Sequence, residues 1–449
     1  MHLAPHSIPM IDPSVVTPPR AILVLGGYGL IGREITTACL AAGHRVTGAA
    51  RSPETGRRLL PGADWIGIDL NTATRSDDWL LHLDGVDTVI NASGALQSGG
   101  RDDLGRVQRD AIRALVTACE TAGVERFVQI SAPGAAPDAA TEFMATKGEA
   151  DDTLRASALD WVILKPGLVI APTAYGGTSL LRTLAAFPNV QPIVLADAPV
   201  QTVAVADVAR AAVRAATDPV LARREFDLVE GPVHTLVDVV LAFRRWLGFG
   251  DGRLVRLPLV VGKAMAASAD FAGRLGWRPP LRSTSLAVLA AGVTADPEPW
   301  RHATGETLGS LAETLARMPA TRQERQYARA QLLFPSLVVL FAVFWLASGL
   351  IGLWRLDTAA KIVTPAFGAP LAKASVVFGG LADIAIGAGL LIRRTFQPAC
   401  LAAITLSLAY LSLGTLVTPD LWSDPLGPLV KIIPVIALAA LLHVLGEER

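Results

Sequence analysis

Beyond Gln331 the chain carries four long apolar runs in series: Leu332–Trp354, Ala374–Ile392, Gln397–Thr418 and Leu426–Gly446. The first and third hold no charged residue, the second is interrupted by Asp383 and the fourth by Lys431. Each reaches the roughly 18–20 residues that a helix needs to cross the hydrocarbon core. Hydrocarbon offers no water to an unpaired backbone N–H or C=O, so such runs must fold as helices, and the polar remainder must fold outside them. The sequence therefore predicts an integral membrane protein whose residues 332–449 form an all-α, four-span transmembrane bundle in contact with the lipid bilayer.

Loop charge orients that bundle. Arg317, Arg322, Arg325 and Arg329 precede the first run, and Arg393-Arg394 fill the tight second connection. The first and third connections are poorer in basic residues, which puts both termini on the cytoplasmic side, as expected at a bacterial inner (cytoplasmic) membrane. Lys373 and Lys431 then sit near the outer interface, where their ammonium groups can snorkel to water. The 51% hydrophobic content is concentrated in this part of the chain. Lys plus Arg and Asp plus Glu are equal at 40 each, with no basic run interleaved with aromatics, so nothing points to nucleic acid. The three cysteines, Cys39, Cys119 and Cys400, have no paired spacing and fit core positions in a reducing compartment, and the histidines have no second ligand at metal spacing. Residues 1–20 hold five prolines and read as a loose leader.

The soluble part opens on Ala21-Ile-Leu-Val-Leu-Gly-Gly-Tyr-Gly-Leu-Ile-Gly32. This reads as a buried strand, a turn at Gly26 to Gly29, and a helix opening at Gly32. Gly26 and Gly29 let the backbone turn tightly and approach an anion; Gly32 lets the helix pack closely on the strand. The helix start offers unpaired N–H groups and a positive dipole end, which is what a pyrophosphate needs. The candidate cofactor-binding residues are thus Gly26, Gly27, Tyr28, Gly29, Leu30, Ile31, Gly32 and the adjoining Arg33.

From Ala21 to Ala171 short apolar runs alternate with helical patterns. The strand candidates are Ala21–Leu25, Arg45–Ala49, Trp65–Ile68, Thr88–Asn91, Phe127–Ser131 and Trp161–Lys165. Several are apolar on both faces, as in a parallel sheet covered by helices, and the natural assembly is a doubly wound, Rossmann-type α/β domain over 21–235. Residues 236–331 read as a helical connector and substrate-side subdomain. Its segment Val260–Trp277 is amphipathic; it reads as an ordinary packed helix, with the bilayer surface as the alternative resting place.

The end of the second strand sets the nucleotide's flavour. An NAD-selective site puts a carboxylate about 20 residues past the glycines. Here Arg45-Val-Thr-Gly-Ala-Ala-Arg51-Ser52 has none before Glu54. Arg51 and Arg33 near that corner suit a 2′-phosphate, so NADP(H) is favoured and NAD(H) remains the alternative.

Taken together, these residues resemble the atypical and extended short-chain dehydrogenase/reductases, especially the NmrA-like group and the nucleotide-binding accessory subunit of respiratory complex I. The resemblance rests on the glycine turn, Asp69-Leu70, Asn91-Ala-Ser-Gly94, Ser131, Lys165-Pro-Gly167 and Val203-Ala-Val-Ala-Asp207-Val-Ala, over residues 20–235. The four-run tail is similar to the DoxX-like membrane domain. The resemblance implies that Gly26, Gly29 and Gly32 hold the pyrophosphate, and that Arg51 reads the adenosine ribose. Asp69 and Leu70 would flank the adenine, and Asn91 and Ala92 would line the route to the nicotinamide ribose. Lys147 would bond that ribose, Pro166 and Gly167 would border the carboxamide, and Lys147 and Ser131 are the catalytic candidates.

One departure limits the inference. The family's acid is a tyrosine four residues before the lysine, and here that position is Phe143. A phenol can donate the proton that follows hydride transfer; a phenyl ring cannot. Ser131, Thr146 or Tyr175 are the possible substitutes, and a quinone-like acceptor takes its protons from water. In the second run Gly379, Asp383 and Gly387 share a helix face, placing an ionisable group against another span. Two readings follow. One is a membrane-anchored NADP(H)-dependent oxidoreductase acting on a lipophilic small molecule: a quinone, an isoprenoid or a lipid. The other is a non-catalytic nucleotide-binding module that stabilises or regulates a membrane assembly, through a complex partner or as a homo-oligomer.

Overall fold

A computed structural model describes residues 18–94, 98–99 and 102–447; most of the expected leader, residues 1–17, lies outside them. The chain divides into two compact units. One holds the chain up to Thr178 with Leu195–Ala242 and Thr284–Pro319, and the other Ser179–Val194, Phe243–Ser283 and Ala320–Arg449.

The first unit is an α/β layer structure around a seven-stranded parallel sheet. Its strands are β1 (Ala21–Leu25), β2 (Arg45–Ala50), β3 (Asp64–Gly67), β4 (Thr88–Asn91), β5 (Arg126–Ile130), β6 (Asp160–Pro166) and β7 (Arg224–Leu228). Their order across the sheet is β7-β6-β5-β4-β1-β2-β3. β1, β4 and β5 are buried almost throughout because helices cover both faces, which is why β1 is a continuous apolar run and β4 and β5 are apolar at Val89-Ile90 and Phe127-Val128. Separate apolar cores lie on the two faces, one including Ile22, Val24 and Ile35, the other Leu23, Leu25 and Leu115. Leu25 is in register with Ala49 of β2 and Asn91 of β4. The chain reverses its direction of winding at β1 and β4, and their carboxyl ends form the crevice where doubly wound sheets take ligands.

Three expectations shift by small amounts. The first helix, α1 (Leu30–Ala41), opens two residues before Gly32 because Gly29 already serves as its N-cap. The helix expected over Asp102–Thr121 begins as a π-helical turn, Gly105–Asp110, and becomes α-helical as α2 (Ala111–Ala122). The next helix, α3 (Glu142–Arg155), starts four residues before the expected Thr146 because Thr141 caps it, its hydroxyl accepting from the Met144 N–H.

The second unit combines a two-stranded parallel ribbon, Val190–Val194 with Arg253–Leu257, a helix α4 (Leu259–Arg274), and a helical bundle. Three bundle helices are long and apolar enough to cross a membrane among the described residues: α5 (Arg322–Trp354), α6 (Ala369–Leu391) and α7 (Arg393–Val417). The fourth run differs from expectation. Its helix, α8 (Ile432–Leu445), has 14 residues, about 21 Å at helical rise, because the chain between Pro425 and Lys431 is spent in turns. The connection between the first two runs holds an amphipathic helix, Leu356–Phe367, where a loop was expected.

The bundle is inverted relative to a water-soluble one. Leu340, Trp354, Phe378 and Leu416 point outward, and a polar centre lies inside. Asp383 on α6 accepts from the Ser348 hydroxyl on α5 at 2.8 Å and from the Tyr410 hydroxyl on α7 at 2.9 Å. Small residues permit that approach: a Cβ on Gly349 would lie 2.4 Å from the Gly380 carbonyl oxygen, and one on Gly379 would lie 2.7 Å from the Tyr410 oxygen.

Candidate functional site

The glycine turn leaves β1 at the crevice. Gly26 has φ +67°, a conformation that a side chain resists, and its N–H donates to the Ala49 carbonyl on β2 at 2.9 Å. The Gly29 N–H donates back to the Gly26 carbonyl at 2.8 Å, closing the turn. Gly32 then passes against this carbonyl so closely that a Cβ there would lie 2.1 Å from the oxygen. Among the described residues no side chain caps α1, so the N–H groups of Leu30, Ile31 and Gly32 lie at the helix start without a capping partner there. The Thr36 hydroxyl donates to the Gly27 carbonyl from inside, and the Tyr28 ring packs 5.8 Å from Trp65. A backbone cradle that any Cβ would fill, at an uncapped helix start, fits a dinucleotide pyrophosphate.

Most of the flanking candidates lie at or just beyond the carboxyl ends of the strands, and Arg51, Asp69 and Asn91 have side-chain partners. Arg51, at the end of β2, pairs with Asp102 at 2.9 Å, and Arg33 is half-buried on α1. Asp69 accepts from the backbone and side-chain N–H groups of Asn71, forming a local turn that leads into Leu70. Asn91 is buried; it donates to Gln129 at 2.8 Å and accepts from the Ser93 N–H at 3.0 Å, which shapes the 91–94 loop beside Ala92. Pro166 ends β6. The following Gly167 is held by its N–H to the Leu228 carbonyl, and a Cβ there would lie 2.7 Å from the Gln201 carbonyl oxygen.

On α3, Phe143, Lys147, Asp151 and Leu154 share the inward face. The Lys147 ammonium donates to the Ile130 carbonyl at 2.9 Å and stands 5.7 Å from the centre of the Phe143 ring; a Cβ on Gly94 would be 3.8 Å from it. Burial lowers its pKa, with Asp151 pulling the other way. One turn on, Asp151 is fully buried and accepts from the Ser131 hydroxyl at 2.5 Å. That residue was absent from the sequence-derived candidates, although its i+4 spacing from Lys147 carried the signal. Ser131 itself therefore has its hydroxyl committed to a buried carboxyl, and Thr146 directs its own to Gln108 and the Glu142 carbonyl. Tyr175 is exposed.

Burial pushes the Asp151 carboxyl up to about 6, against smaller opposing pulls from the Ser131 hydrogen bond and Lys147. An acid whose pKa rises on folding contributes stability that is present below its unfolded pKa near 4 and lost as pH climbs through about 6. Asp151→Asn retains a neutral acceptor for Ser131 and removes that dependence. Denaturant unfolding of wild type and variant at pH 5 and pH 7.5 should show the variant gaining about 1.4 kcal/mol relative to wild type between the two pH values. Equal pH slopes for the two proteins would refute the assignment.

Residues 26–219 match the family described as NAD(P)H-binding, and residues 342–440 match the DoxX-like family. Among similar proteins, ceramide reductase of Caulobacter vibrioides is 25% identical over 248 residues, covering 53% of this chain and 73% of that protein. Photosystem II assembly factor Ycf39 of Synechocystis is 25% identical over 252 residues, covering 56% of this chain and 74% of that one. The Escherichia coli NADPH-dependent quinone oxidoreductase QOR2, solved with NADPH, shares the fold with a TM-score of 0.52 at 18% identity, over 66% of this chain and 98% of its own.

Proposed function

Because the chain joins an NAD(P)H-binding domain of the short-chain dehydrogenase/reductase type to a DoxX-like domain, we propose that it is a membrane-anchored, NADP(H)-dependent oxidoreductase acting on a lipophilic substrate. The observation that carries this reading is the backbone cradle at Gly26–Gly32, set on a chain that also has three helices of membrane-crossing length. A relative 25% identical over 248 residues is a ceramide reductase, and ceramide is a lipid. In this proposal the bundle anchors the protein in an inner membrane with both termini cytoplasmic, and α8 is a short fourth span whose preceding turns lie at the outer interface.

When bound, the nicotinamide supplies a hydride. The chain's own residues bind, orient and exclude. The N–H groups at the start of α1 hold the pyrophosphate, Arg51 and Arg33 meet the 2′-phosphate, and Asp69 and Leu70 flank the adenine. Asn91 and Ala92 shape the wall toward the nicotinamide ribose, Lys147 donates to that ribose, and Pro166 and Gly167 border the carboxamide. Ser131 acts by positioning, since its hydroxyl ties β5 to α3 through Asp151. Phe143 holds no proton to give, which favours an acceptor such as a quinone that draws its protons from water.

The test is NADPH oxidation by purified protein against a panel of quinones, with Gly29→Asp as the binding-deficient control. Confirmed NADPH binding without oxidation above that control would remove the quinone version. Cofactor choice is tested separately. Arg51→Ala should weaken NADPH at least tenfold more than NADH, equivalent to about 1.4 kcal/mol; equal losses for the two would exclude a 2′-phosphate role for Arg51.

Phe143 also favours a second reading, a nucleotide-binding module without turnover that serves a membrane assembly; a relative is an assembly factor. Detergent purification separates the two, since a protein recovered alone and turning over with ordinary kinetics rules this one out.

A further inference from the structure

Helix α4 buries the wrong residues for a helix bathed in water. Its inward face is made of small side chains. A Cβ on Gly262 would lie 2.6 Å from Val194, Ala266 is buried, and a Cβ on Gly273 would lie 2.7 Å from the Arg282 guanidinium. Its bulky apolar residues point outward instead: Val260 is 74% exposed, Phe271 60% and Met265 48%. An ordinary packed helix does the reverse.

Charge follows the same division. The helix's one acid, Asp270, is turned inward to Arg282 at 3.1 Å and to the Ser283 hydroxyl. The charges left on the exposed surface are those of Lys263 and Arg274, both positive, and on a helical wheel they flank the Val260–Phe271 stripe on one side.

The end of α4 is fastened to the bundle where α6 stops and α7 starts. The Leu275 carbonyl accepts from the Arg393 N–H at 2.9 Å, and the Trp277 indole donates to the Leu391 carbonyl at 2.7 Å. Trp277 also packs edge-on against Phe334 and Phe396, at 6.0 and 5.2 Å, with the Arg393 guanidinium over its ring at 5.3 Å. A tryptophan whose polar edge is bonded at the end of an apolar helix, beside arginines, marks the level of a membrane–water interface. The C-terminal end of α4, a helix whose bulky apolar residues are exposed, is thus held at that level.

We infer that α4 is an interfacial helix whose Val260–Phe271 face is seated in the headgroup and upper acyl region of the bilayer, with Lys263 and Arg274 directed to anionic lipid headgroups. At 16 residues it is about 24 Å long, too short to span and long enough to lie along the surface. This holds whether or not the chain turns over.

The test uses the full chain in phosphatidylcholine–phosphatidylglycerol proteoliposomes. Phe271→Cys is labelled with an environment-sensitive fluorophore, and Arg253→Cys, exposed on the ribbon, is the aqueous reference. The native cysteines are buried, so the introduced thiol is the reactive one. Lipids spin-labelled near the headgroup should quench the probe at 271 about twofold and leave the probe at 253 unchanged. Lys263→Glu with Arg274→Glu should reduce quenching at 271 in anionic vesicles. An unquenched, water-like probe at 271 overturns the inference. So does a blue-shifted but unquenched one, because protein and not lipid would then cover the face.

Discussion

Gly32→Val is expected to eliminate NADPH binding while leaving the α/β unit folded. The added Cβ would sit 2.1 Å from the Gly26 carbonyl oxygen and 2.8 Å from its carbon, and both are backbone atoms that no rotamer change can move. Either α1 slides away from β1 or the turn opens, and each displaces the N–H groups that would meet the pyrophosphate. Overpacking of this kind destabilises by about 1–3 kcal/mol, which a sheet with an apolar core on each face can absorb. The affinity loss should be larger, at least a hundredfold, or about 2.7 kcal/mol. Titration of nucleotide fluorescence, with circular dichroism to confirm folding, decides it. Binding within a few-fold of wild type would mean that the cradle is not the cofactor site.

The second large effect belongs to the bundle. Gly349→Val places a Cβ 2.4 Å from the Gly380 carbonyl oxygen, 2.8 Å from the Ile384 side chain and 3.0 Å from the Asp383 Cβ. Helices α5 and α6 must part, and Ser348 moves off Asp383 as they do. Detergent-solubilised protein should lose roughly 1–3 kcal/mol of stability, read as a lowered unfolding midpoint. Gly352→Val is the matched control on the same helix, since nothing lies within 4 Å of its Cβ position. Equal behaviour of the two variants would show that helix propensity and not packing governs the change.

The sequence made some of this legible and hid the rest for physical reasons. The strands could be read because a parallel sheet buried on both faces is rich in apolar positions, as in Ala21–Leu25 and the Val89-Ile90 centre of Thr88–Asn91. The glycine turn could be read because its spacing is dictated by backbone approach. Asp151 was missed because an acid on a polar helix looks solvated until the sheet behind it is known, although Lys147 four residues earlier shares its face. The fourth run was overestimated in length because hydropathy counts side chains, whereas Pro425, Gly427 and Pro428 set the backbone. The orientation of α4 was beyond reach for a different reason. Glycine and alanine score neutrally in any amphipathic pattern, so a helix that buries its small residues and displays its large ones gives the same periodic signal as one packed conventionally.

The ion pair between Arg51 and Asp102 alters how cofactor choice should be understood. If Arg51 takes the 2′-phosphate as proposed, that phosphate would not meet a bare cation; it would compete with a tethered carboxylate for the guanidinium. Discrimination between the two dinucleotides is then a partner exchange, governed by the difference between two anions and not by the attraction of one. On the proposed function such an exchange would be self-limiting, because the acid that weakens the grip on a phosphorylated cofactor would also hasten its departure.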